Sequence, residues 1–210
     1  MPPAESQALP LVAILRGLTP ARASSVGAAI RAAGIRILEV PLNSPEPYQS
    51  IETLSRESGA DCLVGAGTVL SIEQVERTYA AGGRLVVSPN TNPAVIRAAL
   101  ARGMQVMPGF ATASEAFAAV EAGAHTLKLF PAATYGPRHL RALREVLPAG
   151  TKIFPVGGIG AADVGPWLEA GAAGFGFGSE LFKPQFTLEE IQARAARAVE
   201  ALRPVTDLTK

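Results

Sequence analysis

Four polar side chains interrupt apolar runs in a pattern that suits carbonyl chemistry. They are Arg16 after Val-Ala-Ile-Leu, Glu39 within Ile-Leu-Glu-Val, Thr68 after Gly-Ala-Gly, and Lys128 within Thr-Leu-Lys-Leu-Phe. Lys128 is the most informative, because a short run of that composition reads as a strand covered on both faces, where a cation needs a reason. At a reference pKa of about 10.4, only about one lysine in a few thousand is neutral at pH 7, whereas attack on a ketone needs the free amine. Desolvation that lowers the pKa by about 3 units costs the ammonium about 4 kcal/mol and leaves a nucleophile at neutral pH. The run fits a Schiff-base lysine, and it also fits a lysine whose stem packs while its amine snorkels to a strand end. For Glu39 and Lys128 together, a buried ion pair is the purely structural alternative.

These side chains can meet only if the elements that carry them converge. From residue 11 almost to the end, short apolar runs alternate with Ala- and Leu-rich amphipathic stretches, the signature of repeated βα units. Eight strands are expected, over 11–16, 35–40, 62–66, 85–88, 105–108, 126–130, 152–156 and 174–178. Gly34, Gly59, Gly82, Gly103, Gly123 and Gly171 stand where helices should end in a left-handed cap. Thr19-Pro20, Ser44-Pro45, Ser71, Asn92-Pro93 and Thr112 mark helix starts. Eight units in 210 residues sit at the small end of the (β/α)8 TIM barrel range, with an open doubly wound sheet as the alternative. The barrel is preferred, as one domain over residues 1–210 with no linker or second composition regime. Its active face is the C-terminal one, and period-two alternation turns Arg16, Glu39, Thr68 and Lys128 inward there. Lys152 and Asp61, at strand starts, belong to the opposite face.

A second signal lies in the glycine clusters Val156-Gly-Gly-Ile-Gly160 and Gly174-Phe-Gly-Phe-Gly-Ser179. They put bare backbone at the two loops where such barrels commonly hold phosphate, and Ser179 adds a hydroxyl. Tight turns and close helix packing are the alternative use of the same glycines. Neither cluster fits the dinucleotide-binding fingerprint.

Composition narrows the partners. A formal net charge of +1 and the lack of any Lys/Arg run argue against nucleic acid or an anionic membrane surface. No apolar run reaches the roughly 18 residues of a membrane span, and Met1 to Gln7 does not read as a signal peptide, so a cytoplasmic protein is expected. Cys62 is the only cysteine, which excludes an internal disulfide and reads as a small buried hydrophobe. With only His125 and His139, a three-histidine zinc site within one chain is excluded, while a carboxylate-held metal stays open.

Over nearly its whole length the chain resembles the class I aldolases of 2-keto-3-deoxy-6-phosphosugar acids. The carriers are Leu-Glu-Val-Pro at 38–41, Gly-Ala-Gly-Thr-Val-Leu at 65–70, Val-Ser-Pro-Asn at 87–90, Met-Pro-Gly at 107–109, Leu-Lys-Leu-Phe-Pro-Ala at 127–132, Val-Gly-Gly-Ile at 156–159 and Gly-Ser at 178–179. The resemblance implies Lys128 as the Schiff-base lysine and Glu39 as the general acid/base. It implies Arg16 and Thr68 near the keto-acid end, and Gly157, Gly158, Gly178 and Ser179 around the phosphate. It further implies a phosphorylated keto-deoxy sugar acid as substrate, pyruvate and D-glyceraldehyde 3-phosphate as products, no cofactor or metal, and a homotrimer.

Within that family, Pro41-Leu-Asn-Ser-Pro45, Phe130-Pro-Ala-Ala-Thr-Tyr-Gly-Pro137 and Val156 resemble the branch acting on the galactonate-derived substrate, in galactonate degradation. The gluconate-derived C4 epimer is the alternative. That other branch typically has an arginine where Asn43 stands, so here Arg16 becomes the obvious supplier of a carboxylate-binding cation. A sugar-phosphate isomerase and a non-catalytic sugar-phosphate-binding barrel are more distant readings, and the lysine separates them from the aldolase.

Overall fold

The computed structural model describes residues 9–207, and the reading of Met1 to Gln7 lies outside them. The strands are β1 Leu11–Ile14, β2 Ile37–Pro41, β3 Leu63–Gly67, β4 Leu85–Val87, β5 Gln105–Met107, β6 Gly109–Phe110, β7 Thr126–Leu129, β8 Lys152–Pro155 and β9 Phe175–Phe177. Helices α1 Pro20–Ala32, α2 Pro47–Glu57, α3 Ile72–Ala80, α4 Pro93–Ala101, α5 Ala113–Glu121, α6 Ala132–Arg144, α7 Val164–Glu169 and α8 Leu188–Asp207 alternate with them. Every strand pairing is parallel.

The pairing order β5-β4-β3-β2-β1-β9 forms one sheet and β6-β7-β8 another. Two junctions join them into a closed barrel, which rules out the open doubly wound sheet. At one junction Pro108 separates β5 from β6, since proline has no N–H for the ladder. The strand expected over 105–108 is therefore β5 alone, with β6 a second short piece beyond Pro108, although the Pro108 carbonyl still accepts from the Lys128 N–H at 2.9 Å. At the other, a single bridge pairs Val156 with Gly176.

Strand side chains alternate between two cores. Leu11, Ala13, Leu38, Val40, Leu127 and Leu129 join the cluster packed under the helices. Val12, Ile14, Leu85, Val87, Met107, Phe154 and Val156 form a separate cluster inside the barrel. Strands buried on both faces explain why the sequence shows continuous apolar runs.

The helix starts follow local chemistry with one departure. Ser71 accepts from the Gln74 N–H, Asn92 from the Ala94 N–H, and Thr112 with Glu115 closes a capping box. Ser44-Pro45 does not start α2, which begins at Pro47 behind Glu46. The Ser44 hydroxyl accepts instead from the Gly17 N–H at 2.9 Å, so the tertiary contact outcompetes the cap.

Strand packing is tightest at β3. A β-carbon on Gly65 would collide with the backbone carbonyl of Leu85 on β4, an obstacle that cannot swing aside. Gly65→Ala is therefore expected to lower unfolding stability by about 3 kcal/mol, the upper range of overpacking costs. Urea denaturation checks it, and a variant as stable as the parent contradicts this account of β3–β4 contact.

Candidate active site

The residues next to Glu39 and Lys128 decide which way these two point. Leu38 and Val40 belong to the outer core, so Glu39 between them faces the barrel interior. Lys128 lies between Leu127 and Leu129 of the same outer core, and its amine stands over the Phe130 ring, 4.8 Å from the centroid. Both are buried, Glu39 at 1% exposure and Lys128 at 6%. Space for the carboxylate comes from β3, where a β-carbon on Gly67 would occupy the position of Glu39 Oε2. The motif reading did not single out Gly67 as the residue that makes room for the carboxylate, and the signal for it was the Gly65-Ala-Gly67 alternation on the strand beside Glu39 and on the same inner face.

Glu39 and Lys128 act on each other electrostatically, yet no ion pair joins them. The ion pairs among the described residues link Arg36 with Asp61, Arg56 with Glu57, Arg102 with Glu76, Arg194 with Glu180 and Arg203 with Glu200. Glu39 Oε2 is buried without a hydrogen-bond partner. The structure thus shows no salt bridge between the two, and the Lys128 side chain stays largely within the barrel, whereas a snorkelling lysine would extend to solvent.

Burial pushes the Lys128 amine below the ordinary lysine range; the Arg16 guanidinium adds to that push and the Glu39 carboxylate opposes it. Burial likewise pushes the Glu39 carboxyl up, against the pull of Lys128 and Arg16. Each group is driven toward its uncharged form, which suits a nucleophilic amine beside an acid able to give and take a proton.

The remaining sequence-predicted residues stand at the C-terminal ends of the strands. Arg16 lies in the turn beyond β1, not on the strand as expected, because β1 ends at Ile14. It is solvent-exposed, and its Nη1 donates to Asn43 Oδ1 at 2.7 Å. Thr68 follows β3 with φ +58°, a left-handed conformation that is an outlier for a β-branched residue.

Gly157 and Gly158 follow β8 with φ of +98° and +73°, values that a side chain would strain. Gly178 and Ser179 follow β9, beside them across the Val156–Gly176 bridge. The Gly157 carbonyl accepts from the Ala133 N–H, and the Gly178 carbonyl accepts from the Leu181 and Phe182 N–H groups. These carbonyls are thus bound within the fold, which suits a loop pair that offers N–H groups to an anion.

A cavity of about 360 Å³ adjoins the loop after β8 at Gly158 and is lined also by Ala133, Gly136, Ile159, Asp163 and Trp167 among others. Asp163 is the titratable group in its lining, and it already accepts from the Gly160 N–H, so the cavity extends the phosphate-side loop without adding a free acid or base to it.

A model of the KDPG and KHG aldolases matches residues 4–199. The chain belongs to the KDPG and KHG aldolase family. A probable 2-dehydro-3-deoxy-6-phosphogalactonate aldolase of Rhizobium meliloti (strain 1021) is 47% identical over 96% of this chain and 93% of its own length. The 2-dehydro-3-deoxy-6-phosphogalactonate aldolase of Escherichia coli (strain K12) is 46% identical over 93% of this chain and 95% of its own. A solved structure described as native KDPGal superposes with a TM-score of 0.92 at 45% identity, covering 95% of this chain and 97% of that one. As a member of this aldolase family the chain is a carbon–carbon lyase with a (β/α)8-type fold.

The opposite influences on Lys128 give this aldolase a signed pH test. Acylation of Lys128 by a neutral electrophile needs the free amine, so its rate should rise with pH and level off below the ordinary lysine range. Arg16→Ala removes a cation and should move that midpoint to higher pH, whereas Glu39→Gln removes an anion and should move it lower. Peptide mass spectrometry over a pH series reads both, and shifts in the same direction contradict the arrangement.

Proposed function

We propose that this aldolase cleaves 2-dehydro-3-deoxy-6-phosphogalactonate to pyruvate and D-glyceraldehyde 3-phosphate through an imine on Lys128. The observation that carries the reading is the buried Lys128 amine, held below its ordinary range and coupled to a buried carboxyl that makes no ion pair with it. An amine so placed is a nucleophile first and a structural cation second.

The neutral amine attacks the C2 ketone, and water leaves to give a protonated imine. That imine accepts the electron pair of the C3–C4 bond as Glu39 takes the proton of the C4 hydroxyl, and the aldehyde departs. Protonation of the enamine at C3 and hydrolysis, which returns the water lost earlier, release pyruvate and the free amine. The imine supplies the electron sink that a metal supplies in other aldolases, so the reading includes no cofactor and no metal. Arg16 and Thr68 hold the carboxylate end, and the backbone of Gly157, Gly158, Gly178 and Ser179 holds the phosphate.

Val156 favours the galactonate-derived substrate. It lies in the apolar interior cluster directly before Gly157, where it offers no partner for a substrate hydroxyl, and the two relatives compared above carry the galactonate name. Among the described residues no helix is long and apolar enough to cross a membrane. A cytoplasmic homotrimer completes the reading, supported by the family resemblance.

Two measurements test it. Pyruvate with borohydride should inactivate the enzyme and leave a reduced adduct on Lys128 in peptide mass spectra; an adduct at Lys152, or full turnover by Lys128→Ala, sinks the mechanism. Coupled assays of pyruvate release on both C4 epimers should give a higher kcat/KM for the galactonate-derived one. The margin should be the tenfold or so that one unpaired polar group costs. Preference for the gluconate-derived epimer overturns the branch while leaving the aldolase standing.

A further inference from the structure

Asn43 and Ser44 lie directly after β2, and both reach the turn that follows β1. Asn43 Oδ1 accepts from Arg16 Nη1 at 2.7 Å, and Ser44 Oγ accepts from the Gly17 N–H at 2.9 Å. One contact fixes a side chain and the other fixes the backbone of the next residue. Ser44 is buried at 7% exposure, and its own N–H donates to the Pro41 carbonyl at 2.9 Å, so the pair of acceptors is tied to the end of β2. On the other side of the turn the ring of Pro184 packs against Gly17. Arg22 holds that segment in turn, donating to the carbonyls of Pro184 and Phe186.

The chemistry of this clamp is selective. An exposed arginine samples many rotamers, and a partner that restricts it lowers the ordering cost of any ligand it binds. An amide oxygen accepts from one guanidinium nitrogen without cancelling the charge, so the remaining N–H groups stay available to a carboxylate. Arg16 also acts electrostatically on both Lys128 and Glu39, so its placement is felt by the reacting pair.

We propose that Asn43 is a positioning residue that holds the Arg16 guanidinium in the orientation that receives the substrate's carboxylate, with Ser44 fixing the turn beneath it. The proposal rests on the reading of Arg16 as the carboxylate ligand. Asn43 acts through Arg16 and contributes no binding of its own.

The test measures the half-saturating pyruvate concentration in borohydride trapping for the full chain, Asn43→Ala, Arg16→Ala and the double variant. Asn43→Ala should raise it about tenfold, the loss expected for one hydrogen bond to a charged group. The double variant should match Arg16→Ala alone, because an effect routed through Arg16 vanishes with it. Inhibition of turnover by inorganic phosphate, which probes the other end of the site, should be unchanged in Asn43→Ala. Asn43→Leu, similar in shape and without the acceptor, repeats the measurement should the alanine variant fail to fold. An unchanged pyruvate requirement in Asn43→Ala, or an effect that adds to that of Arg16→Ala, overturns the proposal and leaves Arg16 as the ligand. An unchanged requirement in Arg16→Ala overturns both together.

Discussion

Dehydration of one amine is the constraint on which the rest of this structure depends. Lys128 sits on the inner face of β7, beside its β8 register partner Phe154 of the apolar interior cluster, with no ion pair joining it to Glu39. In water its ammonium is strongly hydrated, and the barrel offers an apolar wall and the face of the Phe130 ring instead. The interior packing that closes the barrel is thus also what frees the amine's lone pair.

Glu39 extends the same logic. A carboxyl buried at 1% exposure with one oxygen unpartnered is costly. It persists because Gly67 leaves room for it and because Lys128 and Arg16 pull against the desolvation. The left-handed Thr68 immediately after Gly67 concentrates a second cost at the same strand end, which is the usual company of an active site.

Much of this was legible in the residues. Apolar strands punctuated by helix-ending glycines point to repeated βα units, with the open sheet still an alternative, and the strand lysine fits a nucleophile and a snorkelling cation alike until the family motifs are read. The details that escaped are tertiary. Ser44-Pro45 has the local chemistry of a helix start, but the Gly17 N–H claims the hydroxyl, and no local rule weighs a partner so distant in sequence. Arg16 reads as the end of a strand because the apolar run reaches it, whereas the ladder with β2 stops at Ile14. The pattern ends the fifth strand at Pro108, where one donor is missing, whereas the chain resumes pairing beyond it at Gly109–Phe110 against β7. Asn43 was visible as an absence of arginine, and only the folded turn shows what stands in its place.

The pairing of β1 with β9 bears on how the chain must come into being. On a ribosome the strands emerge in order, and β1 meets its neighbour β2 early, whereas its second neighbour, Phe175–Phe177, emerges only after β2 to β8. Until then β1 presents an open edge of unpaired donors and acceptors, the kind of edge that recruits foreign strands. A nascent chain halted before residue 175 would carry two such edges, one on β1 and one on β8. For this barrel, cover for the edge of β1 therefore waits on Phe175–Phe177, the last strand of the described fold.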